Sequence, residues 1–159
     1  MAECYANNCI ANMLKDILVS KFNLSIRVSH KRKYGRDRIV NEVHNMVEKR
    51  IAQIIIAVID YEIGISRKYI DENFSLSKIR EGLWIGASKR ARNVITIIFD
   101  PNIETFLEAL GYHISDLHEL KGESACEKLE KAGILGNQHI KHIMEELAKN
   151  LIKLLNQSH

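Results

Sequence analysis

The chain has 159 residues, enough for one domain and too few for two of ordinary size. It is 46% hydrophobic and 27% charged, with one proline and eight glycines, which excludes disordered, collagen-like and solenoid classes. The net charge of +3 permits an anionic partner without requiring one. The longest apolar run, Ile54 to Ile59, is six residues and cannot cross a membrane as a helix. No basic stretch followed by an apolar segment opens the chain, which argues against a signal peptide. Cys4, Cys9 and Cys126 are odd in number and include no CxxC, which points to a reducing compartment and a cytoplasmic protein.

From Ala2 to Lys21, Ile10, Met13, Leu14, Ile17 and Leu18 recur at helical spacing and predict an amphipathic helix. Leu24, Ile26 and Val28 then alternate with Ser25, Arg27 and Ser29, the period of a short strand. No strand is predicted ahead of Glu3. A second helix is expected over about 37–50, with Ile39, Val40, Val43 and Val47 inward and Glu42, His44, Glu48 and Lys49 outward. The unbroken run Ile54 to Ile59 reads as a strand covered on both faces. Ser66 suits the N-cap of a short helix ending near Asn73. The stretch 79–88 is ambiguous, with Leu83 to Gly86 read as a short strand, and Val94 to Phe99 is a second buried strand. Asp100 as N-cap and Pro101 as first helical residue predict a helix to about Leu110, stopped by Gly111. The rest reads as helical, with breaks near Gly122 and Gly133 to Gly136. The last helix, about 137–155, carries Ile140, Ile143, Met144, Leu147, Leu151 and Leu154 on one face.

This order predicts an α/β fold: a single three-layer domain with a mostly parallel central sheet, helices on both faces and extra C-terminal helices. No linker divides the chain, so 1–159 is one domain, with a core of about 1–111 and a helical extension of about 112–159. The last helix is expected to pack on the sheet or to form a homodimer interface.

In open α/β sheets, ligands gather beyond the carboxyl ends of the strands. Both buried strands end there on acids, at Asp60 with Glu62 and at Asp100. Asp60 and Glu62, two apart at a loop entry, can reach one hard cation, and Mg²⁺ favours such oxygen ligands. Asp60 can equally form a turn, Glu62 can be a solvated charge, and Asp100 can cap a helix instead of joining the metal ligands.

A Glu at the head of a helix (Glu3), then strand, helix and a hydrophobic strand ending Asp60-x-Glu62-x-Gly64, resembles the Toprim domain. Topoisomerases, primases, OLD-type nucleases and small-RNA maturases carry that domain. The resemblance covers about residues 3–100 and implies a compact α/β fold acting on nucleic acid. It implies Glu3 as general acid or base, and Asp60 and Glu62 as ligands of Mg²⁺ or Mn²⁺.

Arg27, Lys31, Arg32, Lys33, Arg36 and Arg38 place six positive charges within twelve residues, with Tyr34 among them. Cations so spaced can position a phosphate backbone without reading sequence, and Tyr34 can stack on an unpaired base. A solvated loop is the competing reading. The histidines show no zinc spacing, and there is no P-loop, dinucleotide fingerprint or G-x-S-x-G elbow. The resemblance thus implies a metal-dependent phosphodiester nuclease, or a non-catalytic nucleic-acid-binding or assembly protein of the same fold.

Overall fold

The computed structural model describes residues 1–2, 4–29, 36–50, 54–61, 65–112 and 124–157, without the side chains of Tyr5, Arg36, Asp37, Ile65 and Ser66. Helix α1 spans Tyr5–Phe22. It starts where the Cys4 sulfur accepts the Asn7 N–H, and it ends at Asn23 in the left-handed region. Asparagine tolerates that conformation better than most residues.

The segment 24–29 is not a strand of the sheet, which corrects the sequence expectation. Its side chains do alternate, with Leu24, Ile26 and Val28 packed on the core and Ser25 and Arg27 exposed. The outer edge of β1 (Ile55–Asp60) is met instead by the first two residues of the chain. Ala2 forms a parallel bridge to Val58, and the Val58 N–H donates to the Met1 carbonyl at 2.8 Å. The Ala2 N–H donates onward to the Ser29 carbonyl at 3.0 Å, so segment 24–29 lies one position further out. Ahead of Glu3 the described residues hold this single bridge and no strand, in line with the sequence expectation.

Helix α2 (Arg36–Glu48) buries Ile39, Val40 and Val43 as expected. Helix α3 (Ile65–Asn73) begins one residue before Ser66, which is therefore inside the helix and not its cap. Strands β2 (Phe74–Arg80), β3 (Leu83–Ser88) and β4 (Val94–Phe99) complete a four-stranded sheet of order β1-β4-β3-β2. The run Val94 to Phe99 pairs with β1 in parallel, as its apolar character predicts. The other two pairings are antiparallel, so the sheet is mixed and not mostly parallel. The cause is local. Residues 81–82 join β2 to β3 through Gly82 at φ 71°, and a two-residue connection can only return the chain antiparallel.

Alternate strand residues fall into two apolar clusters. Val58, Leu83, Ile85, Ile95, Ile97 and Phe99 pack with α1 and with three later helices, α4 (Ile103–Ala109), α5 (Ala125–Lys131) and α6 (Gln138–Gln157). Ile55, Ala57, Ile59, Phe74, Val94 and Ile98 pack with α2 and α3. Ile143, Leu147 and Leu151 of α6 are buried in the first cluster, and Lys21 of α1 meets Glu145 of α6 at 2.7 Å. The last helix is thus part of the core.

Two further expectations change. Helix α4 is capped by Asn102, whose side-chain oxygen accepts the Thr105 N–H at 2.8 Å, and the Asp100–Pro101 bond, which is cis, precedes it. Asp100 is therefore not the cap, while Gly111, at φ 87°, lies just past the helix as foreseen. Cys9 and Cys126 form a disulfide between α1 and α5. They lie 117 residues apart, so only the fold brings them together, and the cysteine argument for a reducing compartment falls. Among the described residues, no helix is long and apolar enough to cross a membrane.

Candidate functional site at the carboxyl end of the parallel strand pair

Strands β1 and β4 run parallel with Asp60 opposite Phe99, so Asp60 and Asp100 both stand at the carboxyl edge of the pair. Above Asp60 the ladder continues, with the Tyr61 N–H donating to the Phe99 carbonyl at 2.8 Å. Strand alternation then sends successive side chains to different helices.

Asp60 faces α1 and α4. It is 8% exposed, and its Oδ1 accepts from the Asn7 side-chain amide and from the Ile103 N–H, each at 3.2 Å. Both donors have a structural origin. Asn7 sits in the first turn of α1, and Ile103 is the first residue of α4, where a backbone N–H has no intrahelical partner. Asn7 is fully buried, and its Oδ1 accepts no hydrogen bond. A carboxylate that can only accept fixes which end of the amide turns toward it. The orphaned oxygen is the remainder of that choice.

Tyr61 and Asp100 face α3. Tyr61 is buried, and its hydroxyl donates to Asp71 of α3. Burial first, and then the bond to Asp71, raise the phenol pKa above its usual range, while Arg67 opposes them. The Arg67 guanidinium lies over the Tyr61 ring at 4.0 Å from its centroid. Its edge meets Asp100 Oδ2 at 3.6 Å, longer than a formed hydrogen bond. The two strand-end acids thus engage different helices, although they are neighbours in register.

Glu3, Glu62, Lys31, Arg32, Lys33 and Tyr34 lie outside the described residues, as does the side chain of Arg36. Arg27 is exposed on segment 24–29, and Arg38 is exposed on α2, where it borders a shallow hollow of about 270 Å³ with Asn41, Glu42 and Asn45. Among the described residues, no three His, Cys, Asp or Glu side chains stand close enough to hold one metal ion. No family model, curated protein or solved structure matches this chain.

Three residues escaped the sequence reading. Asn7 is a polar residue on an amphipathic helix, and nothing in its neighbours marks it as the partner of an acid 53 positions away. Arg67 sits two residues into α3, on the stretch read only for its cap. His44, expected outside, is 1% exposed. Its Nδ1 bonds the Val40 carbonyl and its Nε2 bonds the Ser88 hydroxyl, each at 2.7 Å.

The donor chemistry near Asp60 suits a hard cation. Its carboxylate is a ligand type that Mg²⁺ and Mn²⁺ take, whereas the Asn7 amide turns its NH2 end toward Asp60 and its oxygen away. Asp100, engaged with Arg67 on the α3 side, does not complete that set.

Proposed function

We propose that the chain is a nucleic-acid-processing protein, a phosphodiester nuclease that uses Mg²⁺ or Mn²⁺ at a Toprim-like acidic site. The observation that carries this reading is Asp60: a buried carboxylate, oriented from two sides, at the carboxyl edge of the parallel pair. Asp60 and Glu62 would hold the cation. Bound there, the cation supplies charge neutralisation at the scissile phosphate and activation of the attacking oxygen. Glu3 follows the bridge between Ala2 and Val58 and would move the proton. Arg27, Arg38 and the Lys31 to Arg36 stretch would hold the backbone by charge alone. In this reading the two apolar clusters are the two faces of a three-layer domain, with helices over each.

A second reading has its own support. Because Asp60 Oδ1 already joins α1 and α4 to the sheet, the residue has a structural task that needs no cation. A non-catalytic nucleic-acid-binding or assembly protein would keep Asp60 for that reason.

Thermal unfolding of the parent and of Asp60→Asn, each with and without Mn²⁺, separates the two when run beside cleavage assays on single- and double-stranded substrates. The nuclease reading expects a metal-dependent rise in Tm and cleavage in the parent, both lost in the variant. A parent whose Tm ignores metal, or cleavage that survives in Asp60→Asn, would remove the enzyme and leave the scaffold.

A further inference from the structure

We propose that Arg67, propped on Tyr61 at the α3 side of the strand ends, is a phosphodiester-binding residue that accepts the nucleic acid together with a divalent cation. This rests on the nucleic-acid reading above and adds a residue that neither the acidic motif nor the basic stretch contains.

The geometry of the guanidinium carries the inference. Its inner face lies on the Tyr61 ring, and that ring cannot turn away, because it is buried and its hydroxyl is bonded to Asp71. Stacking and a fixed phenol hold a long side chain in one place, so the entropy of ordering it is already spent before a ligand arrives. Besides its polar contact with the Tyr61 side chain, the pair with Asp100 is weak: Asp100 stands 3.6 Å away, and a half-open pair of that length contributes little. The side chain is 41% exposed, so a ligand can reach it from solvent. A planar, pre-positioned fork of N–H donors matches phosphate oxygens, which a lysine at the same place would meet only as a point charge.

The surroundings explain why the cation must come too. Asp71 and Asp100 flank Arg67, Asp60 ends the neighbouring strand, and Lys89 meets the Asp71 carbonyl at 2.7 Å, so three carboxylates stand against two cations. A bare phosphate is repelled by that set. A divalent ion reverses the balance, and the phosphate then meets positive charge from both the ion and the guanidinium. Arg67 therefore contributes in the presence of divalent ions and little without them, whereas contacts from the exposed arginines elsewhere persist in either case.

The test is fluorescence anisotropy of a labelled single-stranded oligonucleotide, in Ca²⁺ and in EDTA, over a salt series, with parent, Arg67→Ala and Arg67→Lys. Thermal unfolding of each checks that the fold is kept. In Ca²⁺, Arg67→Ala is expected to bind about ten-fold more weakly, with a salt slope smaller by roughly 0.7. Arg67→Lys should fall between the two, since it keeps the charge and loses the fork. In EDTA the three proteins should bind alike. Equal affinities in Ca²⁺ for a parent that binds would overturn the role of Arg67 and leave the functional reading standing. A parent that binds no oligonucleotide in either condition would overturn both. Arg67→Lys matching the parent would reduce the site to a charge and defeat the fork argument.

Discussion

Asn7 donates its side-chain amide to Asp60 across 3.2 Å, tying the first turn of α1 to the last residue of β1 in a place almost closed to water. The Ile103 N–H reaches the same oxygen from α4. One carboxylate oxygen therefore joins three elements whose sequence positions span about a hundred residues.

That arrangement gives Asp60 a stability role that is separate from any chemistry. Hydrogen bonds to a charged acceptor are worth more than neutral ones, and a buried donor left unpaired costs its desolvation. Asp60→Asn and Asn7→Ala should each lower stability by about 1–3 kcal/mol in urea unfolding without metal. Because they touch, their effects should fall short of additivity by roughly 0.5 kcal/mol or more in a double-mutant cycle. Fully additive losses would show that the amide and the carboxylate do not act as a pair. This differs from the expectation for two carboxylates that merely repel, where neutralising Asp60 leaves stability unchanged or slightly raised.

The Cys9–Cys126 bond closes most of the chain into a loop, since the two residues are 117 positions apart. In the chain-entropy account, a loop of that size adds on the order of 4–5 kcal/mol, less whatever structure the reduced chain retains. Reductant should therefore lower the Tm of the parent markedly and leave Cys126→Ser, already low, unmoved. A parent with the same Tm in oxidising and reducing buffer would mean that the thiols are not joined.

How much of this was legible depends on the range of the signal. The helices and the pairing of β1 with β4 follow from patterns confined to ten or twenty residues. Phe74-Ser75-Leu76-Ser77 also alternates, and reading it would have given β2 and with it the antiparallel half of the sheet. His44 was read from helix phase alone. It sits one position beyond the stripe of α2, at a place that β3 and the following turn close over through Ser88. The disulfide and the Asn7–Asp60 contact join elements far apart in the chain, and no local pattern encodes them. At the start of α4, two capping residues stand two apart and only geometry chooses between them.

That choice can be measured. Asn102→Ala removes the acceptor of the Thr105 N–H and should cost about 1 kcal/mol. Asp100→Ala removes only a long contact with a half-exposed arginine, worth about 0–1 kcal/mol. Urea unfolding of the two variants should rank Asn102→Ala as the more damaging. The reverse order would return the cap to Asp100.

The buried imidazole gives the chain a pH dependence whose sign can be worked out. A carbonyl only accepts, so His44 Nδ1 carries the proton donated to Val40, and Nε2 is left to accept the Ser88 hydroxyl. The Ser88 oxygen in turn accepts from the Arg90 and Ala91 N–H groups, at 3.0 and 3.2 Å, so this neutral ring pins the turn between β3 and β4 to α2. Burial is the largest influence and lowers the pKa from its ordinary value of 6.5. The bond to Val40 and the charge of Glu48 oppose this, and Arg90 adds to it. A base whose pKa is depressed by folding binds its proton more readily in the unfolded chain. Its stabilising contribution is therefore complete above about pH 6.5 and is lost as the pH falls from there toward the folded value. Unfolding free energies measured from pH 7.5 down to 5.5 should decline for the parent more steeply than for His44→Gln, which has no ring to protonate. The comparison isolates this residue, because the six other histidines are common to both proteins. Parallel curves would show that His44 charges as easily in the fold as in water. A parent that gains stability relative to the variant on acidification would mean that the folded ring prefers the proton, and the tautomer assigned from Val40 and Ser88 would be wrong.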